Sequence, residues 1–287
     1  MEWFDALVQG ILLGGMYAQY ALGMALMFGV MRIVNISHGD LVILLSLIGI
    51  SMATAWGLAP VSVLIILVPL AVLMGWLLQK AVLNRVVGSD PLPSLIATFG
   101  LSIALQNLML QIWSANSRSL PGHGIESQSI EIAGVYVGVL PLIVLAVATG
   151  LTWGLDIVLK HTRFGRALRA ASADVEAASM TGINPRAVYA LATAVAVGIL
   201  GFAAVFQSLR STVAPADGPA QLIYAFEAVI IGGMGAVWGA FLGSMVLGIA
   251  QAIGFRIDPG FGVLAGHLVF LFVLATRPQG LFGKATT

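Results

Sequence analysis

The chain has 287 residues, 59% of them hydrophobic and only 9% charged, with a net charge of +1 and no cysteine. A soluble domain carries about 25% charged residues, so this composition cannot cover a water-soluble surface. Disulfides and thiolate metal sites are excluded, and no nucleic-acid partner is expected.

Apolar runs of about 17–25 residues, long enough to cross a hydrocarbon core of about 30 Å, recur along the chain. They do not alternate apolar and polar residues as the strands of a membrane barrel would. The fold class is therefore all-α, a polytopic transmembrane helical bundle, treated as one domain over 1–287. The opening stretch "MEWFDALVQG" carries Glu2 and Asp5 but no base. A secretory signal would begin with positive charge, so the first helix is expected to remain in the mature protein. Spans are expected at 6–30, 41–58, 61–79, 95–113, 136–158, 186–209, 221–233, 236–253 and 262–276. The seventh is short enough to be re-entrant, which gives about eight to nine membrane segments.

Gly10, Gly14 and Gly15 form a small-residue stripe on the first helix, and Gly239, Gly243 and Gly248 form another late in the chain. Such stripes serve close helix packing. "RIVNISHGD" then separates two apolar runs. Asn35, His38 and Asp40 interrupt the helix here and Gly39 frees the backbone, so a broken helix is expected near 35–40. Such a break lines a pathway in many transporters; the alternative is a tight interfacial turn. His38 has no nearby partners for a metal, because His123, His161 and His267 lie in distant segments, and no metal site is expected. Trp56 and Trp113 sit at expected span ends, where aromatic belts form. The segment 114–134 is a polar loop.

The longest charged stretch is "KHTRFGRALRAASADVEAASMTGINP" at 160–185. Bases at 160, 163, 166 and 169 suit the headgroup level, and Lys160 is placed to pair with Asp156. Asp174 and Glu176 are positioned to begin a short helix at about 173–181. Gly182 then provides a left-handed cap and Pro185 blocks continuation. The face formed by Ala173, Ala177, Ala178 and Ser179 suits a groove on a partner; a loop that only sets topology is the plainer reading.

Further on, Glu227 is the one acid expected inside an apolar segment away from its ends. An intramembrane carboxylate is a functional candidate. Gly232, Gly233 and Gly235 follow, so a second broken helix is expected near 227–235, with backbone turned toward a pathway. The alternative is that Glu227 pairs with a buried base, or with Arg210 near the surface.

With nine segments and the N-terminus outside, one set of loops holds Arg32, Lys80, Arg85, Lys160, Arg163, Arg166, Arg169, Arg186, Arg277 and Lys284, and the other holds Arg118, Arg210 and Arg256. The positive-inside rule then places the N-terminus outside and the C-terminus in the cytoplasm.

"TRFGRALRAASADVEAASMTGIN" resembles the cytoplasmic loop of permease subunits in the branched-chain amino acid class of ABC importers. "YALGMALMFGVMRIVNISHGDLVILLS" at 20–46 resembles that family's first helix and its N-x-x-H-G break, and "RPQGLFG" at 277–283 its C-terminal signature. The family more usually has Ala at the position of Ser37 and Ser or Thr at that of Ala236. The resemblance implies that 163–184, with Arg163, Gly165, Arg166, Arg169, Asp174, Glu176, Ala177 and Gly182, docks on a cytoplasmic ATP-binding subunit. It implies a second permease subunit, as a heterodimer or else a homodimer, a periplasmic substrate-binding protein, and a bacterial inner membrane. Asn35, His38, Gly39, Glu227, Gly232 and Gly233 are the candidates for the translocation pathway. No phosphate loop, His-Glu-x-x-His, G-x-S-x-G or nucleophilic cysteine is present, so the chain is expected to be neither an ATPase nor another enzyme and to need no cofactor. A secondary transporter or channel for amino acids, urea or small amides remains the competing reading. It would need ionisable relays inside the spans.

Overall fold

The structure is a computed structural model that describes residues 2–88, 90–122, 124–132 and 134–282. In chain order the helices are α1 (Glu2–Met31), α2 (His38–Trp56), α3 (Pro60–Ala81), α4 (Leu92–Trp113), α5 (Val139–His161), α6 (Arg163–Ala173), α7 (Val175–Met180), α8 (Pro185–Arg210), α9 (Gly218–Gly232), α10 (Val237–Ile257) and α11 (Phe261–Thr276). Seven of them, α1 to α5, α8 and α10, are long and apolar enough to cross a membrane, counting α3 through to Arg85. With α9 at 15 residues and α11 at 16, the nine expected segments are all helical.

The segment before α5 departs from expectation. Ser129–Ile132 (β1) and Val135–Gly138 (β2) form an antiparallel hairpin, closed by Gly134 at φ +79°. The expected span at 136 therefore starts in a strand, and the helix begins at Val139. Residues 129–132 alternate polar and apolar, the strand period, and Val135 to Gly138 continue the pairing instead of joining the apolar run behind them.

α1 and α8 form the centre, each with 83% of its most apolar window buried, while α3, α4 and α5 are only 17–22% buried and form the periphery. Lipid gives apolar side chains no reason to leave it, so helices inside a membrane associate through close packing. The glycine stripes supply it. Gly10 lies against Gly248 and Ile249 of α10, Gly14 against Ser244 and Met245, and Gly15 against Leu145 of α5. A methyl group on Gly248 would come within 2.5 Å of the Gly14 nitrogen. Gly248→Leu is expected to cost about 1–3 kcal/mol through overpacking, read as a fall in Tm in detergent; an unchanged Tm would show that α1 and α10 do not meet there.

The two ends of the bundle differ in charge. Gly29 packs on Gly235, and Gly280 packs on Gly233. Arg32 shares a cavity with Ala171 to Ala173 and Glu176, and Asn84 another with Asn184 and Arg186. The loops holding Arg32, Lys80, Arg85, 160–186 and Arg277 thus meet at one end, called here the basic end; Lys284 and His123 lie outside the described residues. At the opposite end Glu2 pairs with Arg256, Gln9 donates to the Tyr136 carbonyl at 3.1 Å, and Arg118 bridges Val213.

Candidate functional site

Both expected helix breaks are present, the first shifted toward the N-terminus and the second at 233–236, and a further one precedes α9. α1 ends at Met31, and Arg32 at φ +53° turns the chain. Residues 32–37 then fold back into the bundle. His38, Gly39 and Asp40, expected within the interruption, form the first turn of α2. Their depth follows from their partners. His38 Nε2 donates to the Tyr20 carbonyl at 2.9 Å, and a Cβ on Gly23 would meet the His38 ring. Asp40 reaches the middle of α4, where Ser102 Oγ donates to its Oδ2 at 2.5 Å and Gln106 Nε2 to its Oδ1 at 2.9 Å. α2 therefore starts at mid-depth and runs to the N-terminal end.

The second expected break falls where α9 stops at Gly232, and an interruption that was not expected precedes α9. Residues 211–217 re-enter from the N-terminal end, with Val213 buried beside Ile43, Leu47 and Met109. Glu227 and Gly232 belong to α9. Residues 233–236 are the turn into α10, with Gly233 at φ +106°. Pro215 and Pro219, which lack N–H donors, together with Gly218, put the interruption ahead of the helix. Gly218 stands against the Asp40 carboxylate, and a Cβ on Gly39 would collide with the Gly218 carbonyl and lie 2.7 Å from the Leu222 nitrogen. The first turns of α2 and α9 thus meet inside the bundle. Each presents the positive end of a helix dipole, and the buried Asp40 carboxylate lies at both.

Asn35 braces the approach. Its Oδ1 accepts from Ser37 N at 3.1 Å and Ser37 Oγ at 2.7 Å, while Ile36 N donates to Thr98 Oγ1 at 3.2 Å. Glu227 is buried and pairs with His267 of α11, not with Arg210 or another strong base. Tyr224, one turn earlier on α9, stacks on Tyr17 with 4.8 Å between ring centroids, and the Tyr17 hydroxyl donates to Gln251 Oε1 at 2.6 Å. The structure brings His38 and Gly39 together at the junction, with Asn35 just before it. It keeps Gly232 and Gly233 apart, at the basic end. Sequence reasoning missed Asp40 as a site residue, with Ser102 and Gln106; an aspartate, a serine and a glutamine in otherwise apolar runs were the signal.

At the basic end, α6 carries Arg163, Arg166 and Arg169, all exposed. Gly165 lies against the Leu159 carbonyl, so α6 folds tightly back on α5, and Arg169 donates to the same carbonyl. The expected short helix is trimmed to Val175–Met180. Asp174 caps it, with Oδ1 accepting from Glu176 N at 2.9 Å and Ala177 N at 3.0 Å. Gly182, at φ +83°, ends it. Gly182 N donates to the Ser179 carbonyl at 3.0 Å and Ile183 N to that of Ala178 at 3.2 Å, the paired bonds of a Schellman cap. The expected small-residue face is only partly outward. Ala178 is buried against the body, whereas Met180 is 87% and Val175 47% exposed. Asp174, Glu176, Ala177 and Gly182 face outward.

Membrane-length helices, interruptions before α2 and α9 that meet inside the bundle, and one protruding loop define a multi-pass helical membrane protein. The chain belongs to the family described as the branched-chain amino acid transport system permease component, whose profile matches residues 6–274. It is 28% identical to the high-affinity branched-chain amino acid transport system permease protein BraD of Pseudomonas aeruginosa over 99% of this chain and 96% of that protein. It is 26% identical to the corresponding permease LivH of Escherichia coli K12, again over 99% and 96%. A probable LivH permease of Methanocaldococcus jannaschii is 23% identical over 92% of this chain and 87% of that protein. Among solved structures, PsaBC from Streptococcus pneumoniae in complex with Fab superposes with a TM-score of 0.46 at 17% identity, over 97% of this chain and 91% of that one, too distant a match to define the fold.

Proposed function

We propose that the chain forms half of the translocation pathway of an ATP-driven importer for branched-chain amino acids in a bacterial inner membrane. The basic end faces the cytoplasm, in accord with the positive-inside rule, and the opposite end receives substrate from a binding protein. A second permease subunit completes the pathway, and cytoplasmic ATP-binding subunits drive it. The observation that carries this reading is the α6–α7 loop. Its short helix is capped at both ends by its own side chain and backbone, is held by α6 and α8, and presents Val175 and Met180 to the outside. A rigid knob with an apolar tip transmits motion as a body instead of bending, and it fits a cleft on a partner.

The ATPase acts on this knob, and α8, which follows it directly, carries the displacement to the mid-depth junction through its contacts with α1 and α2. Asn35, His38 and Gly39 are positioned to respond to that displacement, and Glu227, fixed to α11 by His267, ties α9 to the same movement.

Co-purification tests the reading. The chain expressed with its neighbouring genes should retain an ATP-binding subunit through detergent extraction, and uptake of leucine, isoleucine or valine should require both that subunit and a binding protein. Purification of a transport-competent chain without any ATPase would sink it. Gly182→Val forces a β-branched residue into left-handed backbone, at about 1 kcal/mol or more. The expected result is normal membrane insertion with weakened ATPase retention and reduced uptake.

A further inference from the structure

At the end opposite the α6–α7 loop, the terminal turns of α1, α8, α10 and α11 frame an open cavity of about 850 Å³. No α9 residue lines it, because α9 starts only at the depth of Asp40. The wall combines an isolated cation with an apolar bed. Arg210, the last residue of α8, lines the cavity and has no carboxylate or side-chain hydrogen-bond partner among the described residues. Arg256, across the cavity, is by contrast paired with Glu2. Leu13, Ala252, Phe255 and Val263 supply the bed, and Asp5 supplies a carboxylate at the rim. Gln251 also lines the cavity. It is buried, its Oε1 is taken by the Tyr17 hydroxyl, and its Nε2 has no acceptor.

We infer that this cavity is a binding site for a free aliphatic α-amino acid, with the Arg210 guanidinium receiving its carboxylate. This deepens the importer reading and rests on it. A guanidinium presents a planar fork that matches a carboxylate with two parallel hydrogen bonds. Asp5 opposes the ammonium group, and the apolar bed takes the aliphatic side chain, the usual division of labour in a small-molecule pocket. One fork, one rim carboxylate and an open mouth give weak, fast-exchanging binding. That suits a station at which cargo is received and passed on rather than stored.

The test uses the purified chain with whatever subunits accompany it, in detergent, and reads saturation transfer to L-leucine, isovalerate and isoamylamine. Isovalerate keeps the carboxylate without the ammonium; isoamylamine does the reverse. Arg210→Gln is expected to weaken L-leucine and isovalerate binding by about ten-fold or more, the loss of a charged hydrogen bond, and to leave isoamylamine unaffected. Ala252→Trp, which fills the bed without touching the charge, should abolish the leucine signal even if Arg210→Gln fails to accumulate. Unchanged leucine binding in either variant, or equal dependence of isoamylamine on Arg210, would overturn the site. ATPase retention by the wild-type chain is scored on the same preparations. A chain that holds its ATPase but shows no Arg210-dependent binding refutes this cavity alone, and one that holds no ATPase refutes the importer reading.

Discussion

Gly39→Val is expected to abolish uptake and to destabilise the chain by about 3 kcal/mol or more, at the upper end of overpacking costs. The reason is the nature of the obstacle. A Cβ at residue 39 meets the backbone of α9, the Gly218 carbonyl and the Leu222 nitrogen, and backbone cannot rotate aside as a side chain can. The helices must separate where their dipoles are held by one carboxylate. Gly39→Ala should show most of the effect, because the first added carbon makes the clash. Thermal unfolding in detergent and uptake in the same strain are the measurements; an alanine variant with wild-type Tm and transport would mean that the two first turns do not touch.

The second large effect is expected at Asp40. Asp40→Leu leaves Ser102 Oγ without its acceptor, at about 1–3 kcal/mol for a buried donor, and takes one of the two acceptors of half-buried Gln106 Nε2, which keeps Ser102 Oγ at 3.2 Å. It also removes the negative charge between two helix N-termini, worth about 0.3–1 kcal/mol each where exposed and up to ~2 kcal/mol where partly buried. Asp40→Asn should recover part of the loss, since one amide oxygen still accepts a bond. Adding Ser102→Ala and Gln106→Leu to Asp40→Leu should also recover part of it, because removing every partner is less costly than orphaning one. Additive losses in that combined variant would show that the side chains are not coupled.

These residues mark the limit of what the sequence discloses. The helices, the small-residue stripes and the Gly182 cap of α7 were legible, because each depends on neighbours within a turn or on a fixed period. The first break was legible from Asn35 to Asp40, yet its depth was not. That depth is set by His38 against Tyr20 and Asp40 against Ser102, pairings across 18 and 62 positions, and no local pattern encodes them. The end of α9 was legible from its three glycines. The interruption before α9, marked by Pro215, Gly218 and Pro219, was not, because those residues read as an ordinary loop between spans. Glu227 was legible as a buried acid but its partner was not, since His267 lies 40 residues away on another helix. The hairpin at 129–138 was missed because the strand β2 is continuous in hydrophobicity with α5.

The meeting of α2 and α9 inside the bundle has a mechanical consequence. α2 climbs from the junction to one mouth of the bundle, and α9 descends from the same point to the other. Gly39 and Gly218 hold the two helices backbone to backbone, with no side chain between them to absorb a displacement, so a tilt of one is passed directly to the other.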